Sequence, residues 1–187
     1  MSDDTLEKTV AELKAQVETL TARDAIRDVL VRYDKAIDRL DRDMLLSCYH
    51  PDAYDDHGTY RGGPEGFADY AFGMMDKHFS ASFYMTGTTR IEVEGDKARC
   101  ESYIFAPKIL KEKTPAGGGI MWLGGARFLD RMEKRNGEWR ISHRTLVLDW
   151  DLIAHMQTET VGPYTYPPEP DIVPTGKQNR SDLSYSF

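Results

Sequence analysis

Residues 22–50, ARDAIRDVLVRYDKAIDRLDRDMLLSCYH, decide the fold. Apolar side chains recur there every three or four residues, a spacing that places them on one stripe of an α-helix facing a core. The stripe consists of Ile26, Val29, Leu30, Tyr33, Ile37 and Leu40. Asp38 lies within one turn of this stripe, where a carboxylate is costly unless it is paired or used in chemistry. Either Asp38 projects into an apolar cavity, or it lies on the helix surface and pairs with Arg39 or Arg42.

A heptad pattern precedes this stretch. Its apolar residues alternate spacings of four and three, and they are Leu6, Val10, Leu13, Val17 and Leu20. The pattern spans about two heptads, which is short for an isolated coiled coil. Because the remaining faces carry charged or small residues, we favour packing on a partner subunit; packing on its own domain is the alternative. Residues 21–24 then offer a cap and a fresh helix start.

The composition is that of an ordinary soluble globular protein, with 187 residues of which 40% are hydrophobic and 29% charged. This size suits one domain with short extensions. A net charge of -7 without any basic run argues against an extended nucleic-acid contact. Cys48 and Cys100 form no close-spaced motif and are typical of reduced thiols, which predicts a cytoplasmic protein. The sequence shows neither a signal peptide nor a stretch of membrane-spanning length, so we expect no membrane partner.

The hydrophobic period changes from helical to two after Phe83, which is typical of β-strands. Before that point the sequence predicts a strand or hairpin over residues 53–60 and a helix over residues 64–79, with Pro64 at its first position. After it, a hairpin turn at residues 94–96 and long strands over residues 98–110, 120–134 and 139–150 are predicted. Helices followed by antiparallel strands predict an α+β fold in which a curved sheet wraps on helices.

We therefore divide the chain into an N-terminal heptad-like helix (1–21), an α+β domain (22–151) and an extended C-terminal tail (152–187). The tail contains GPYTYPPEP at residues 162–170, a Pro-rich composition with little tendency to form helix or strand. Tyr164 and Tyr166 favour a tail that lies against the body, over a pocket or a neighbouring subunit. A disordered tail is the alternative.

No motif for a cofactor or a metal is visible in the sequence. The run of glycines at 117–119 lacks the residues of a phosphate-binding loop, and the histidines do not form metal-ligand pairs. Asp55, Asp56 and His57 form a possible ligand cluster, but a polar hairpin explains them equally well. We therefore predict neither a metal nor a cofactor.

Arg144 is predicted to face the interior, and Lys108 is a second basic residue that could do so. Arg144 shares a strand face with apolar residues, so it requires an acceptor there, and Asp38 is the natural one. Together they would place a carboxylate base beside a cation that stabilises developing negative charge; a purely structural ion pair is the alternative. Lys108, on the face of Ile104 and Ala106, is either a second cation at the pocket mouth or a solvated strand end.

Several segments together resemble SnoaL-like proteins of the nuclear transport factor 2-like superfamily. They are residues 23–41, 51–53, 58–62, 91–98 and 135–141, in this order. The resemblance implies a cone-shaped barrel in which a curved mixed or antiparallel sheet wraps on N-terminal helices, and a homodimer or homotrimer. Members of the family include cofactor-independent dehydratases, a dehydrochlorinase, isomerases, hydrolases, lyases of lignin-type diaryl compounds and non-catalytic binding modules.

The resemblance also implies site residues. In the dehydratase-like branch, an Asp on the first long helix and a His before the hairpin strand move the proton, assisted by a Tyr and an Arg. Carried over by position, the Asp is Asp38, the Tyr is Tyr33 and the Arg is Arg144.

The expected His is missing from this chain. Counting back from Ile91 places the family His at Tyr84, whereas anchoring on Gly87 places it at Met85. The nearest histidine is His78. The absence of this His favours Tyr84 or His78 as a proton donor. It also favours a different elimination, such as loss of formaldehyde.

The leading hypothesis is a cofactor-independent lyase that acts on a hydrophobic, aromatic small molecule, with a lignin-type diaryl fragment as the most concrete substrate. The alternatives are an isomerase or hydrolase on a steroid or polyketide-like ring, and a non-catalytic ligand carrier. The residues expected to bind the small molecule are Tyr54, Met85, Ile104, Ala106, Lys108, Trp122 and Phe128.

Overall fold

The computed structural model describes residues 3–115, 117–155 and 176–186. In these ranges the N-terminal part is largely helical and a curved sheet follows it. The helices are α1 (Asp3–Arg39), α2 (Arg42–Ser47) and α3 (Pro64–His78), and Leu183–Tyr185 form a 3-10 turn. The predicted α+β class and the wrapped sheet are confirmed.

The sheet is mixed and open. Its strands are β1 (Tyr49–Asp56), β2 (Arg61–Gly62), β3 (Phe79–Ser82), β4 (Met85–Glu94), β5 (Lys97–Phe105), β6 (Lys108–Lys113), β7 (Gly119–Arg135) and β8 (Glu138–His155). The strand order is β2-β1-β8-β7-β5-β4, and β6 pairs with both β3 and β7. The pair β1 and β8 is parallel, whereas the other pairs are antiparallel.

Helix α1 runs without interruption through the point where the sequence predicted a second helix start, so that prediction is wrong. No Gly or Pro interrupts it, and the hydroxyls of Thr9 and Thr19 donate to carbonyl oxygens one turn earlier, at 2.9 Å each. Residues 5–21 are exposed throughout, so the heptad side chains do not pack on the described part of their own chain. Despite the length of α1, no helix in the described ranges has an apolar segment that could span a bilayer.

The end of α1 turns the chain into α2. Leu40 adopts a left-handed conformation with φ of 51°, and the Asp41 amide donates to the Ala36 carbonyl at 2.9 Å. This arrangement satisfies a carbonyl that the helix end leaves free. The Asp41 side chain then caps α2 by accepting from the Met44 amide at 3.1 Å.

The predicted strand over residues 98–110 is wrong, because the chain forms β5 and β6 with a break at Ala106 and Pro107. Proline has no amide hydrogen to donate to a neighbouring strand, which explains the break. Both strands still pair with β7, and Lys108 at the start of β6 lies opposite Trp122. The pairing with β7 continues past the break, so Lys108 stays on the inner face of the sheet with Ile104 and Ala106.

The core lies between the helices and the inner face of the sheet. The apolar stripe of α1 is buried as predicted, with Ile26, Val29, Leu30 and Tyr33 each at most 2% exposed. Irregularities in the pairing of β7 with β8, after Gly125 and Arg131, bend these two long strands around the helices.

Residues 176–186 lie against the junction of α1 and α2. The Tyr185 hydroxyl donates to Asp41 at 2.8 Å, Arg180 donates to the same carboxylate at 2.8 Å, and Lys35 donates to the Ser184 carbonyl at 3.0 Å. Strand β8 continues to His155, beyond the predicted start of the tail at residue 152. The Pro-rich segment 162–170 lies outside the described residues.

Asp41 should therefore be a stability determinant. We expect Asp41→Ala to lower the free energy of unfolding by about 1–3 kcal/mol, because it removes a helix cap and leaves the Tyr185 hydroxyl without its acceptor. Asp43→Ala is the matched control, since Asp43 also pairs with Arg180 but its side chain is 84% exposed. Its effect should stay within about 0.5 kcal/mol in urea denaturation. Equal losses in the two variants would contradict the role assigned to Asp41.

Candidate active site

Asp38 lies at the inner end of α1 and is 7% exposed. Its carboxylate accepts hydrogen bonds from the Ser82 hydroxyl at 2.6 Å and from the Tyr84 amide at 2.9 Å and 3.0 Å. Burial raises the pKa of Asp38, and these hydrogen bonds oppose the rise. Arg39 and Arg42 form ion pairs with other acidic residues, so the alternative of a surface Asp38 paired with either is wrong.

Arg144 is fully buried, as its strand face predicted, but its partner is Asp130. Two nitrogens, Nε and Nη2, donate to the two carboxylate oxygens of Asp130 at 2.7 Å each. The predicted ion pair of Arg144 with Asp38 is therefore wrong, because Asp130 lies directly opposite Arg144 on β7. The guanidinium contacts two rings that are edge-to-face to each other, those of Tyr33 and Phe128, at 4.1 Å and 3.8 Å from their centroids. Its Nη1 has no hydrogen-bond partner among the described residues.

Lys108 is 6% exposed, so the alternative of a solvated strand end is wrong. Its Nζ faces the rings of Trp122, Tyr84 and Phe79 at 4.4 Å, 5.1 Å and 5.9 Å from their centroids. The described part of the chain offers this nitrogen no hydrogen-bond acceptor and no direct ion pair. Burial lowers the pKa of Lys108 to about 8, and the nearby charge of Asp38 acts in the opposite direction.

The indole of Trp122 forms one wall around Lys108. Its Nε1 donates to the Asp151 carboxylate at 3.1 Å, which fixes the ring orientation. The ring lies directly over Gly124, where a β-carbon would overlap it. A glycine at this position is therefore required by the close approach of the ring to the backbone.

Tyr33 and Tyr84 form an aromatic layer with Phe128. The ring centroid of Tyr33 is 5.5 Å from that of Phe128 and 6.2 Å from that of Tyr84. Burial raises the pKa of both phenols, so each stays protonated and can donate a hydrogen bond at neutral pH. Asp34 lies one turn before Asp38 and accepts from the Thr86 amide at 2.7 Å. Burial raises the pKa of Asp34 to about 6.

Not every predicted residue joins this site. His78 is exposed at the end of α3, and Tyr54 is 43% exposed and stacks on His143. Met85 is 45% exposed and, with Trp150, lines a groove of about 600 Å³ on the outer side of the sheet. The predicted residues that the structure brings to the interior are Tyr33, Asp38, Tyr84, Ile104, Ala106, Lys108, Trp122, Phe128 and Arg144.

The sequence reasoning missed a buried hydrogen-bonded chain on β1 and the loop that follows it. Asp55 is fully buried, accepts from the Tyr49 hydroxyl at 2.6 Å and is hydrogen-bonded to Nδ1 of His57. Asp56, by contrast, pairs with Arg61 near the surface. The spacing of two between Asp55 and His57 was the available signal, since alternate residues share a face. The described residues contain no group of His, Cys, Asp and Glu suited to hold a metal ion.

This combination of cone-like fold and buried acid, base and phenol groups defines a class of small α+β domains. Residues 18–145 match the SnoaL-like domain family, which is part of the nuclear transport factor 2-like superfamily. The chain therefore belongs to the SnoaL-like family, as the resemblance implied. The match leaves out most of the exposed N-terminal part of α1. No curated protein sequence matches the chain.

Solved structures with the same fold include enzymes. One is a type 2 hexachlorocyclohexane dehydrochlorinase (LinA), with 22% identity over 79% of this chain and 97% of that one, at a TM-score of 0.65. A second LinA structure has 24% identity, covers 82% of this chain and 99% of its own, and gives a TM-score of 0.66. A scytalone dehydratase candidate from Novosphingobium aromaticivorans has 15% identity, coverages of 79% and 97%, and a TM-score of 0.64. At these identities the similarity shows the fold.

The pair of Arg144 and Asp130 should be the most sensitive ionic contact in the domain. We expect Asp130→Asn to lower the free energy of unfolding by about 3–5 kcal/mol, because it leaves a buried guanidinium without its counter-charge. The joint replacement Asp130→Leu with Arg144→Met removes both charges and should cost clearly less than the single change.

The control for this experiment lies on the same two strands. Asp149 pairs with Arg127 at 3.0 Å, and its side chain is 36% exposed. Asp149→Asn should cost at most about 1 kcal/mol in the same urea titration. A loss for Asp130→Asn no larger than that for Asp149→Asn would show that the buried pair does not carry the expected energy.

Proposed function

We propose that the protein is a cofactor-independent lyase that acts on a hydrophobic, aromatic small molecule. The observation that carries the proposal is the pair of Asp38 and Lys108, two buried groups of opposite charge that are close but form no direct salt bridge. A carboxylate and an amine that are both withdrawn from water, and not neutralised by direct contact, are typical of a site for proton transfer.

Asp38 is the proposed proton acceptor. Its raised pKa makes it a stronger base than a solvated Asp, and the hydrogen bonds from Ser82 and Tyr84 fix the carboxylate in one orientation. In an elimination, this carboxylate would take the proton from the carbon next to the one that loses the leaving group. The requirement for an ionised carboxylate predicts that kcat/KM falls as the pH falls through the raised pKa of Asp38.

Four further groups are proposed to stabilise the negative charge that develops during the reaction. Nη1 of Arg144 is a buried donor without a partner among the described residues, and Lys108 adds a second positive charge. Tyr33 and Tyr84 remain protonated and are proposed to donate to the departing oxygen, in place of the missing His.

The substrate class follows from the rings around these groups. Trp122, Tyr84 and Phe79 surround the Lys108 amine with flat apolar surfaces, which suits an aromatic guest. Two structural relatives carry names of eliminating enzymes, a dehydrochlorinase and a dehydratase candidate. A lignin-type diaryl compound is the most specific substrate that we propose, and it rests on the family resemblance.

An isomerase or hydrolase acting on a steroid or polyketide-like ring would use the same base. Incubation of each candidate substrate in deuterated water separates isomerisation from elimination. An isomerase incorporates deuterium into a product of unchanged composition, whereas a lyase releases a small molecule such as water, chloride or formaldehyde. A non-catalytic carrier would bind the compound and release nothing.

Turnover should depend on Asp38. We expect Asp38→Asn to lower turnover by roughly 10²- to 10⁴-fold, because the amide cannot accept the proton. The measurement follows formaldehyde, chloride and conjugated product from a panel comprising a lignin-type diaryl compound, hexachlorocyclohexane and any compound retained by the purified protein. Asp28→Asn is the control, since Asp28 lies on the same helix with a side chain that is 67% exposed. Turnover by Asp38→Asn equal to that by Asp28→Asn would reject the mechanism.

We also propose that the chain forms a homodimer or homotrimer through the N-terminal part of α1. Five apolar side chains of this part of the helix are 41–63% exposed, and an uncovered heptad stripe of this kind is typical of a helix that packs on another helix: Leu6, Val10, Leu13, Val17 and Leu20. A second copy of the same helix offers a matching stripe.

The oligomer prediction is tested by the joint change Leu13→Glu with Val17→Glu. We expect light scattering to show a smaller assembly than wild type, because charges in the stripe repel across the contact. Lys14→Glu, between the two positions but off the stripe, should leave the assembly size unchanged. An unchanged mass in the double variant would show that this stripe is not the contact.

A further inference from the structure

The amine of Lys108 has only an electrostatic role in the proposed elimination. A buried ammonium is ordinarily paired with a carboxylate or with carbonyl oxygens, because an unpaired charge away from water is costly. Lys108 has no such partner among the described residues: its Nζ makes cation–π contacts with three aromatic rings, which stabilise a positive charge less strongly than a direct carboxylate contact does. A lysine with only the cationic role proposed above would be better stabilised by a direct contact with Asp38.

Lysine side chains are usually flexible, but the amine of Lys108 is held in place by its surroundings. Lys108 is the first residue of β6, paired with Ser82 on one side and with Trp122 on the other. The rings of Trp122, Tyr84 and Phe79 restrict the four-carbon stem, while the backbone on either side is fixed in the sheet. An amine confined in this way is available to react with a bound molecule without first losing its own hydrogen bonds.

We infer that Lys108 is a nucleophile that forms an imine with an aromatic aldehyde or ketone bound against Trp122 and Tyr84. The neutral amine nitrogen attacks the carbonyl carbon, and a carbon–nitrogen bond forms. The carbonyl oxygen takes up the two protons that the nitrogen loses and leaves as water. The adjacent Asp38 carboxylate is suited to carry a proton from the nitrogen to the oxygen. The step is a condensation, and it needs no oxidant or reductant.

The ionisation of the site agrees with this role. The titratable groups that face Lys108 are Asp38 from α1 and Tyr84 before β4; the other walls are the rings of Trp122 on β7 and Phe79 on β3. With a pKa of about 8, about a tenth of Lys108 is neutral at pH 7, roughly two hundred times the fraction of an ordinary lysine. The neutral fraction rises as the pH rises through 8.

This inference deepens the proposed function, because it rests on the same site and names the substrate class as carbonyl compounds. Once its nitrogen takes up a proton, the imine attracts electrons from the neighbouring carbon more strongly than the parent carbonyl does. It would therefore stabilise the charge left when a proton or formaldehyde departs from that carbon. The imine itself, however, forms whether or not an elimination follows, so the two proposals are tested separately.

The test uses benzaldehyde as the probe and sodium cyanoborohydride to reduce the imine to a stable amine. The full chain is treated at limiting benzaldehyde and neutral pH, and intact mass followed by peptide mapping locates the added benzyl group. We expect one benzyl group, on Lys108, introduced at least tenfold faster than on any other lysine. Its rate should rise as the pH rises through about 8, the pKa of Lys108.

Two variants accompany the wild type. Lys111→Met removes an exposed lysine of the same strand, whose side chain is 49% exposed, and should leave the labelling intact. Lys108→Arg keeps the charge but has no nucleophilic amine and should abolish the fast labelling. Since the site is mapped on wild type, the result does not depend on whether the Lys108 variant folds.

Labelling spread over the surface lysines without preference for Lys108 would overturn the inference. Fast labelling of Lys108 in a protein that eliminates nothing from the substrate panel would leave the inference standing and reject the lyase. Elimination that persists in Lys108→Arg, with no trapped adduct in wild type, would overturn the inference and leave the lyase proposal standing.

Discussion

The buried pair of Arg144 and Asp130 is the interaction on which the interior of this domain depends. It joins β7 to β8, and the guanidinium also contacts the rings of Tyr33 on α1 and Phe128 on β7. A guanidinium can fill this position because it stacks on rings through its faces while its edge satisfies a carboxylate. The contact thus ties the long helix to the sheet and sets the place where the other polar groups converge.

Near Arg144, the two polar groups Asp38 and Lys108 do not pair with each other. Asp38 is satisfied by a hydroxyl and a backbone amide, and Lys108 is surrounded by rings, although the two are near enough to influence each other. Direct contact would have fixed both charges and removed both from chemistry. The arrangement gives up some stability and leaves the carboxylate and the amine free of direct contact with each other, as the proposed proton transfer requires.

The sequence predicted the elements better than their contacts. Periodicity was enough for the α1 stripe, for the inward direction of Arg144 and for the class of fold, because burial imposes a repeat on each element. It was not enough for the partner of Arg144. Counting back from the β7–β8 turn pairs Arg144 with Leu129, but the irregularity after Arg131 shifts the pairing by one residue and brings Asp130 opposite. Alternation placed Lys108 on the face of Ile104 and Ala106 but could not separate a buried amine from a solvated strand end, because that depends on the rings of Trp122, Tyr84 and Phe79. Residues 21–24 resemble a helix start, but no Gly or Pro interrupts α1 there.

The two tryptophans that lie on consecutive glycines of β7 have a consequence for how this family member can diverge. Trp122 covers Gly124 on the inner side, and Trp150 covers Gly125 from the neighbouring strand. Gly124 has no β-carbon, and this absence leaves the space that the Trp122 ring occupies beside the Lys108 amine. A single added methyl group would displace the inner indole and reshape the compartment without touching any ionisable residue, so ligand preference in such a domain can drift while its reactive groups stay unchanged.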